Sequence, residues 1–340
     1  MVPEALAFAF VAGVPPLVGL HAAVVMGAAA AAFGAQPGVI SGTAGATAVV
    51  WAPLVVSHGV EVSTCGRRAG RSGGLTVTKK FLYAGVILTG AIQLVCGVLR
   101  LGKFIRLVPK PVMLGFVNGL ALVIGIAQFE QFRVGHAWLQ GAELYTMCGL
   151  VAATMAFLKF WPKVTKAIPA PLASIVFMTT LVKTSGLPTR TVGDLSSISG
   201  SLPMLHVPQV PLSLETLGVL LPYAISVAAV GLIETLLTQQ LVDEATGRRT
   251  ETHTECIGQG VASVASGAFG TMGGCAMIAQ SVLNVSAGGR TRISGFSCAG
   301  AIAAFVVVGG PLIEAIPLAT LVGVMVSTRG RAGRGRGLTA

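Results

Sequence analysis

The sequence predicts an all-α, multi-pass membrane protein, and three observations carry that prediction. Of 340 residues, 53% are hydrophobic and 10% are charged, whereas a soluble domain carries about 25% charged residues. The 23 Lys and Arg and 12 Asp and Glu are too few to cover a soluble surface of this size. The apolar residues run in long continuous stretches near the length of a spanning helix, without the alternation of a β-barrel. The basic residues fall in short groups between those stretches, as in the loops of a membrane protein. A net charge of +11 therefore does not point to nucleic acid, whose binders gather basic side chains on one face.

Apolar length justifies each element in turn. The candidate spans are 3–14, 15–34, 43–58, 81–100, 110–129, 142–161, 168–186, 212–241, 254–269, 274–287, 293–309 and 311–326. The first, the last, 43–58 and 274–287 are short. Between the seventh and eighth spans, 187–211 carries Pro188, Pro203, Pro208 and Pro211 and reads as an extracellular loop. The Gly/Arg stretch 327–340 reads as a low-complexity tail.

Loop charge gives the orientation. With the N-terminus inside, the inward loops hold Lys103, Arg106 and Lys110, then Lys159, Lys163 and Lys166, then Arg248 and Arg249, then Arg290 and Arg292. The tail, Arg329 to Arg336, also falls inside. One loop disagrees: 65–80 holds Arg67, Arg68, Arg71, Lys79 and Lys80 yet falls outside, and reads as a Gly/Ser-rich insertion. No signal peptide is expected, because the chain opens directly in apolar sequence. The six cysteines have no CxxC spacing and predict neither disulfides nor a metal site.

Two segments, 36–50 (QPGVISGTAGATAVV) and 269–284 (FGTMGGCAMIAQSVLN), are Gly-rich breaks that pass into short apolar helices. Irregular backbone at membrane depth is tolerated where protein or a water-filled cavity surrounds it. A helix that starts there aims its free N–H groups and positive dipole end at the membrane centre. Two such helices from opposite sides make an anion site, and broken helices in matching halves point to a transporter of inverted repeats. Close helix packing through small residues is an equally weighted reading of these two segments. In GLIETLLTQQ (231–240), Glu234 lies deep in an apolar stretch, and an intramembrane carboxylate is a functional hypothesis by default. Thr238, four residues on, shares its helix face. Together they offer hard oxygen ligands for Na⁺ or a protonatable group. His21 and Asn118 read as helix–helix hydrogen bonds, and Glu4 as a residue that could face the core. No Ser/His/Asp, Cys/His, P-loop or zinc arrangement is visible, so neither catalysis nor ATP-driven pumping is expected, and no cofactor is.

Five blocks, 2–27, 37–50, 99–128, 231–247 and 273–295, resemble the SulP/SLC26 anion transporters in the family's own order. The resemblance covers the chain apart from 62–80 and 327–340. It implies fourteen segments in two inverted repeats of seven, of which about twelve are present here. Segments 1–4 and 8–11 would form a core and the others a gate. This divides the chain into 1–105 (first core half), 106–211 (first gate half), 212–310 (second core half) and 311–340 (partial gate segment and tail). The missing spans and the family's STAS domain leave the chain apparently truncated at both ends. The anion would sit between the third and tenth segments, at Thr43, Ala44, Gly45, Cys275, Ala276 and Met277, chiefly on backbone N–H groups, with Thr47 as a further hydroxyl. The coupling ion, Na⁺ or H⁺, would sit at Glu234 and Thr238, the one metal site foreseen.

The implied function is secondary active transport of sulfate or bicarbonate by elevator-like alternating access, in a homodimer when complete. Three departures from the family matter: Thr43-Ala44-Gly45 displaces a hydroxyl by one residue, Gln280 stands where some members place a basic residue, and the last gate segments are absent. Two other readings stay open. One is a nucleobase transporter of the same architecture, against which the 273–284 block argues. The other is a non-transporting fragment or pseudogene product.

Overall fold

The computed structural model of the protein describes residues 1–65, 71–107, 110–134, 137–164, 170–187, 189–195, 202–205 and 214–332. In chain order the elements are α1 (Val2–Val11), α2 (Pro16–Phe33), β1 (Ser41–Gly42), α3 (Gly45–Cys65), α4 (Arg71–Val98), α5 (Lys110–Ala127), β2 (Arg133–Val134), β3 (Ala137–Trp138), α6 (Ala142–Val164) and α7 (Ala170–Ser185). They continue with α8 (Val192–Leu195), α9 (Leu214–Thr246), α10 (Thr252–Ala268), β4 (Cys275–Ala276), α11 (Ile278–Ser286), α12 (Arg292–Val308), α13 (Gly310–Glu314) and α14 (Leu318–Ala332). Four helices among the described residues are long and apolar enough to cross a membrane: Pro16–Phe33, Phe81–Val98, Glu143–Trp161 and Thr216–Thr246. Prolines open α1, α2 and α13. Their missing N–H costs nothing there, because the first turn has no carbonyl partner in any case.

The chain forms two compact units. One comprises Met1–Met113 and Ser201–Val307. Within it, the order helix, helix, two-residue strand, helix, helix occurs twice, as α1-α2-β1-α3-α4 and α9-α10-β4-α11-α12. Helix α10 packs on both α2 and α4, and α9 packs on α3, α4 and α11. Leu6, Leu20, Met26, Trp51, Leu54 and Leu82 are fully buried in this unit. In a membrane such burial stabilises by close packing rather than by escape from water, since lipid is as apolar as leucine. Ile225 and Ile293 stand exposed, as a lipid-facing surface requires.

The other unit comprises Leu114–Gly200 and Val308–Ala340. Its core gathers Leu139, Met147, Leu150, Met178, Val182, Ala319 and Val322. Phe157 stacks on Trp161 and Phe177 with ring centroids at 4.9 and 5.0 Å. The span expected at 311–326 is two pieces here, α13 and α14, broken around Pro317. Proline cannot supply the N–H that would continue a helix. The break is instead held by the start of α8 and the residues just before it: Val192 donates to the Ile316 carbonyl at 3.0 Å, and Leu318 to the Arg190 carbonyl at 3.0 Å. Asp194 accepts the N–H and hydroxyl of Thr191. These bonds, with Arg190 nearby, hold its carboxyl below the usual carboxylate range.

Two further expectations shift at their edges. Helix α4 reaches back to Arg71, and α14 runs on to Ala332, because backbone bonding rather than hydropathy sets a helix end. Residues 66–70, most of the proline-rich stretch after α8, and 333–340 lie outside the described residues.

Candidate functional site

The two Gly-rich breaks meet. Strand β1 pairs antiparallel with β4, Ser41 opposite Ala276 and Gly42 opposite Cys275. Antiparallel strands send the chain off in opposite directions. Helices α3 and α11 begin the same distance in sequence beyond Gly42 and Cys275, so their N-termini face one crossing from opposite sides. The glycines make this approach possible. A Cβ on Gly274 would lie 2.0 Å from the Gly42 carbonyl oxygen. Gly270 and Gly273 take φ values of +64° and +70°, where a side chain is strained.

All seven residues predicted to hold the anion lie at this crossing and are buried: Thr43, Ala44, Gly45, Thr47, Cys275, Ala276 and Met277. Several of their donors are already used. The Thr43 hydroxyl donates to the Gly19 carbonyl at 2.6 Å, and that of Thr47 to the Ala44 carbonyl at 3.0 Å. The Ala276 N–H donates to Thr235 Oγ1 at 3.2 Å, and the Met277 N–H to the Ile40 carbonyl at 2.9 Å. These bonds hold the crossing together. The N–H groups of the first turns, at Gly45, Ala46 and Thr47 and at Ile278, Ala279 and Gln280, have no carbonyl within their own helices to bond. On α11 this turn is also the more open one, with Ala279 exposed and Ile278 and Gln280 half-buried.

Glu234 and Thr238 stand on the face of α9 that meets β4. Cys275 donates its thiol hydrogen to Glu234 Oε2, Sγ to oxygen 3.1 Å. The Thr238 hydroxyl donates to the Glu234 carbonyl at 2.8 Å and lies 3.4 Å from that of Ala276. Gly231, one turn earlier on α9, leaves room for this contact. A Cβ there would meet Gln93 Nε2 at 3.2 Å, Cys275 Cβ at 3.8 Å and Thr47 Cγ2 at 3.9 Å. The half-buried Glu234 carboxylate is thus tied directly to the strand that carries the second helix start. No group of three His, Cys, Asp or Glu that could hold a metal occurs among the described residues.

The sequence reading missed several participants. Thr235 takes the Ala276 N–H. Gln259 donates to the Gly274 carbonyl at 3.0 Å, and Ser263 donates to Gln93 Oε1 at 2.8 Å, forming a buried polar layer behind the glycine turn. Gln280 donates to Glu4 Oε2, which brings a second carboxylate, from α1, to the first turn of α11. Glu4, a charge in an apolar stretch, and Gln280, a departure from the family, were both visible in the sequence; Gln93 and Gln259 gave no such signal.

Comparison with known proteins places this geometry. The profile of the sulfate permease family matches residues 1–331. The protein "Putative sulfate transporter YbaR" of Bacillus subtilis is 39% identical over 326 residues, which is 96% of this chain and 63% of YbaR. The bicarbonate transporter BicA of Synechocystis is 28% identical over 320 residues, 90% of this chain and 54% of BicA. The chain thus spans between half and two thirds of the length of these relatives. Among solved structures, the transmembrane domain of a cyanobacterial bicarbonate transporter BicA superposes with a TM-score of 0.81 at 26% identity, covering 100% of this chain and 86% of that one. Murine Slc26a9, an anion transporter in the inward-facing state, shares the fold with a TM-score of 0.78 at 17% identity, over 98% of this chain and 59% of that one.

Proposed function

The chain belongs to the sulfate permease family, as a multi-pass integral membrane protein and not an enzyme, and from that premise we propose that it carries an inorganic oxyanion, sulfate or bicarbonate, by cation-coupled secondary transport. The observation that carries this reading is the β1–β4 pairing, which aims two helix starts at one point. Relatives named for sulfate and for bicarbonate support the substrate class. Both anions accept hydrogen bonds from N–H groups. The first-turn N–H groups of α3 and α11 are the donors, and the hydroxyls of Thr43 and Thr47 shape the pocket from its α3 side.

Charge arithmetic supports coupling. Each helix N-terminus counts as roughly half a positive charge, so the two together supply about one. Gln280 adds none, and Glu234 beside Cys275 subtracts one. Glu4, held by Gln280, is offset by the Met1 ammonium 3.7 Å away. An anion therefore meets little net attraction until a cation or proton neutralises Glu234. With Na⁺ or H⁺ at Glu234 and Thr238, the positive helix ends act on the anion unopposed. In this reading the unit that contains the crossing is the moving core and the other unit the gate. The N-terminus is cytoplasmic, and the complete protein works as a homodimer.

Uptake by proteoliposomes tests it. Radiolabelled sulfate or bicarbonate should enter saturably and faster under an inward Na⁺ or H⁺ gradient. Glu234→Gln should reduce uptake to the level seen without a gradient. A Glu234→Gln protein whose uptake still follows the cation gradient would remove Glu234 from the coupling role.

A further inference from the structure

Beside the crossing lies a polar cluster that the transport reading leaves unused. Its centre is Glu255, in the first turn of α10 and only 2% exposed. A carboxylate at that depth is costly unless its oxygens are bonded. Its Oε2 accepts the N–H of Ala35 at 2.7 Å and of Gln36 at 3.1 Å, the residues just past the end of α2. The same turn is gripped from its carbonyl side. Arg292, the first residue of α12, donates Nη1 to the Ala32 carbonyl at 2.6 Å and Nη2 to the Gly34 carbonyl at 2.9 Å. A cation on the last carbonyls of a helix is favourable twice over, as a cap and as a partner for the dipole.

The grip continues along the segment toward β1. Gln36 Nε2 donates to Thr246 Oγ1 at 3.3 Å, Asn284 Nδ2 to the Gly38 carbonyl at 2.9 Å, and Ile40 N–H to Ser281 Oγ at 2.9 Å. Gly258, one turn beyond Glu255, is bare because a Cβ there would stand 2.6 Å from Gly34 Cα. The segment between α2 and β1 contains Gly34, Pro37 and Gly38 and has no regular structure of its own. What fixes it comes from α9, α10, α11 and α12, the second copy of the repeated element order. What it delivers is β1 and, directly after, the start of α3.

We infer that Glu255 and Arg292 are positioning residues for the anion site: they clamp the turn after α2, and so set the start of α3 against the start of α11. Two helix ends that share one anion must be aligned closely, since a shift of about 1 Å in a binding constellation is costly. Glu255 spends its oxygen on the turn and does not reach the crossing, so its role is separable from that of Glu234. The inference rests on the transport reading, and its signature is a change in anion affinity with the cation dependence kept.

The test is the uptake assay above, with whichever anion the wild-type protein carries, over a range of anion concentrations. Glu255→Gln keeps the shape but turns charge-assisted bonds into neutral ones; it should raise KM about tenfold. Arg292→Lys keeps the charge but cannot fork across two carbonyls, and should raise KM about threefold. In both, the cation gradient should still drive uptake. A purely structural role lowers the amount of folded protein and the maximal rate at unchanged KM, and that outcome overturns the inference. Should Glu255→Gln fail to accumulate, Arg292→Lys decides alone, a raised KM supporting the inference and an unchanged one overturning it. If the wild-type protein carries no anion, the transport reading falls and this inference with it. If it does and both variants keep its KM, only this inference falls.

Discussion

Gly42 and Gly274 look alike in sequence, and both lie at the strand crossing, yet their surroundings differ. A methyl on Gly274 meets the Gly42 carbonyl oxygen at 2.0 Å, with the Gly42 carbonyl carbon at 2.7 Å. Backbone cannot swing aside, so the two strands must part. A methyl on Gly42 meets the free end of the Met1 side chain at 2.6 Å, with Met277 Sδ next at 3.6 Å, and a thioether end can rotate away. Gly274→Ala is therefore expected to cost about 3 kcal/mol and to abolish uptake, whereas Gly42→Ala should cost less than about 1 kcal/mol. Thermal unfolding in detergent, followed by uptake, measures both; equal losses would mean that the crossing is not this tight. Residues differ in the same way in how well the sequence reveals them. Glu234 was legible because a charge in an apolar run has a large desolvation cost to explain. Thr235, beside it, was not, because a hydroxyl is cheap anywhere in a helix and its partner, the Ala276 N–H, is far away in sequence.

Among elements, α4 and α10 meet along a seam of glycines. Gly90 on α4 would place a Cβ 2.7 Å from the Val264 nitrogen, and Gly260 on α10 would place one 2.8 Å from the Leu94 nitrogen. Gly97 meets the Ile257 nitrogen at 2.9 Å, and Gly267 the Tyr83 carbonyl at 2.8 Å. Contacts that run up one helix and down the other show that the pair is antiparallel. Glycines let the backbones approach closely where lipid supplies no hydrophobic drive. Gly90→Val and Gly260→Leu should each push the helices apart and lower thermal stability by about 3 kcal/mol. Gly300→Ala on α12, with nothing within 4 Å of its Cβ, should be neutral or slightly stabilising, as alanine is the better helix former. If all three variants melt alike, the seam does not hold α10 to α4. The spans themselves were legible, since each needs an apolar run whatever it packs on. The break at Pro317 does not show in apolar length, which runs on through it, although proline is a strong local signal. The seam was illegible, because glycine is common in this chain and spacing alone does not say which partner it meets.

At the scale of the whole molecule, the repeated element order places both halves of the candidate site within one unit, joined by two residues from each strand. The sequence exposed the two broken segments but not that they pair with each other, since a two-residue strand has no pattern to detect and its partner lies in the other half of the chain. The pairing bears on mechanism. If the unit that holds the crossing moves as one body, β1 and β4 stay together throughout the cycle. If transport instead opens the site by separating the two helix starts, they must part. Ser41 and Ala276 stand directly opposite, and facing residues of antiparallel strands lie about 4.5–5.5 Å apart at Cα, within the range a disulfide spans. Ser41→Cys with Ala276→Cys, in a Cys275→Ser background that retains a donor to Glu234, should therefore cross-link on oxidation. Reduced, this protein gives its own baseline of uptake. Rigid-body movement predicts the same uptake after oxidation, because the bond joins atoms that never separate. Uptake that stops on oxidation and returns with reductant would show that the crossing opens, and the two helix starts would then have to be treated as moving parts, with the anion released by their separation.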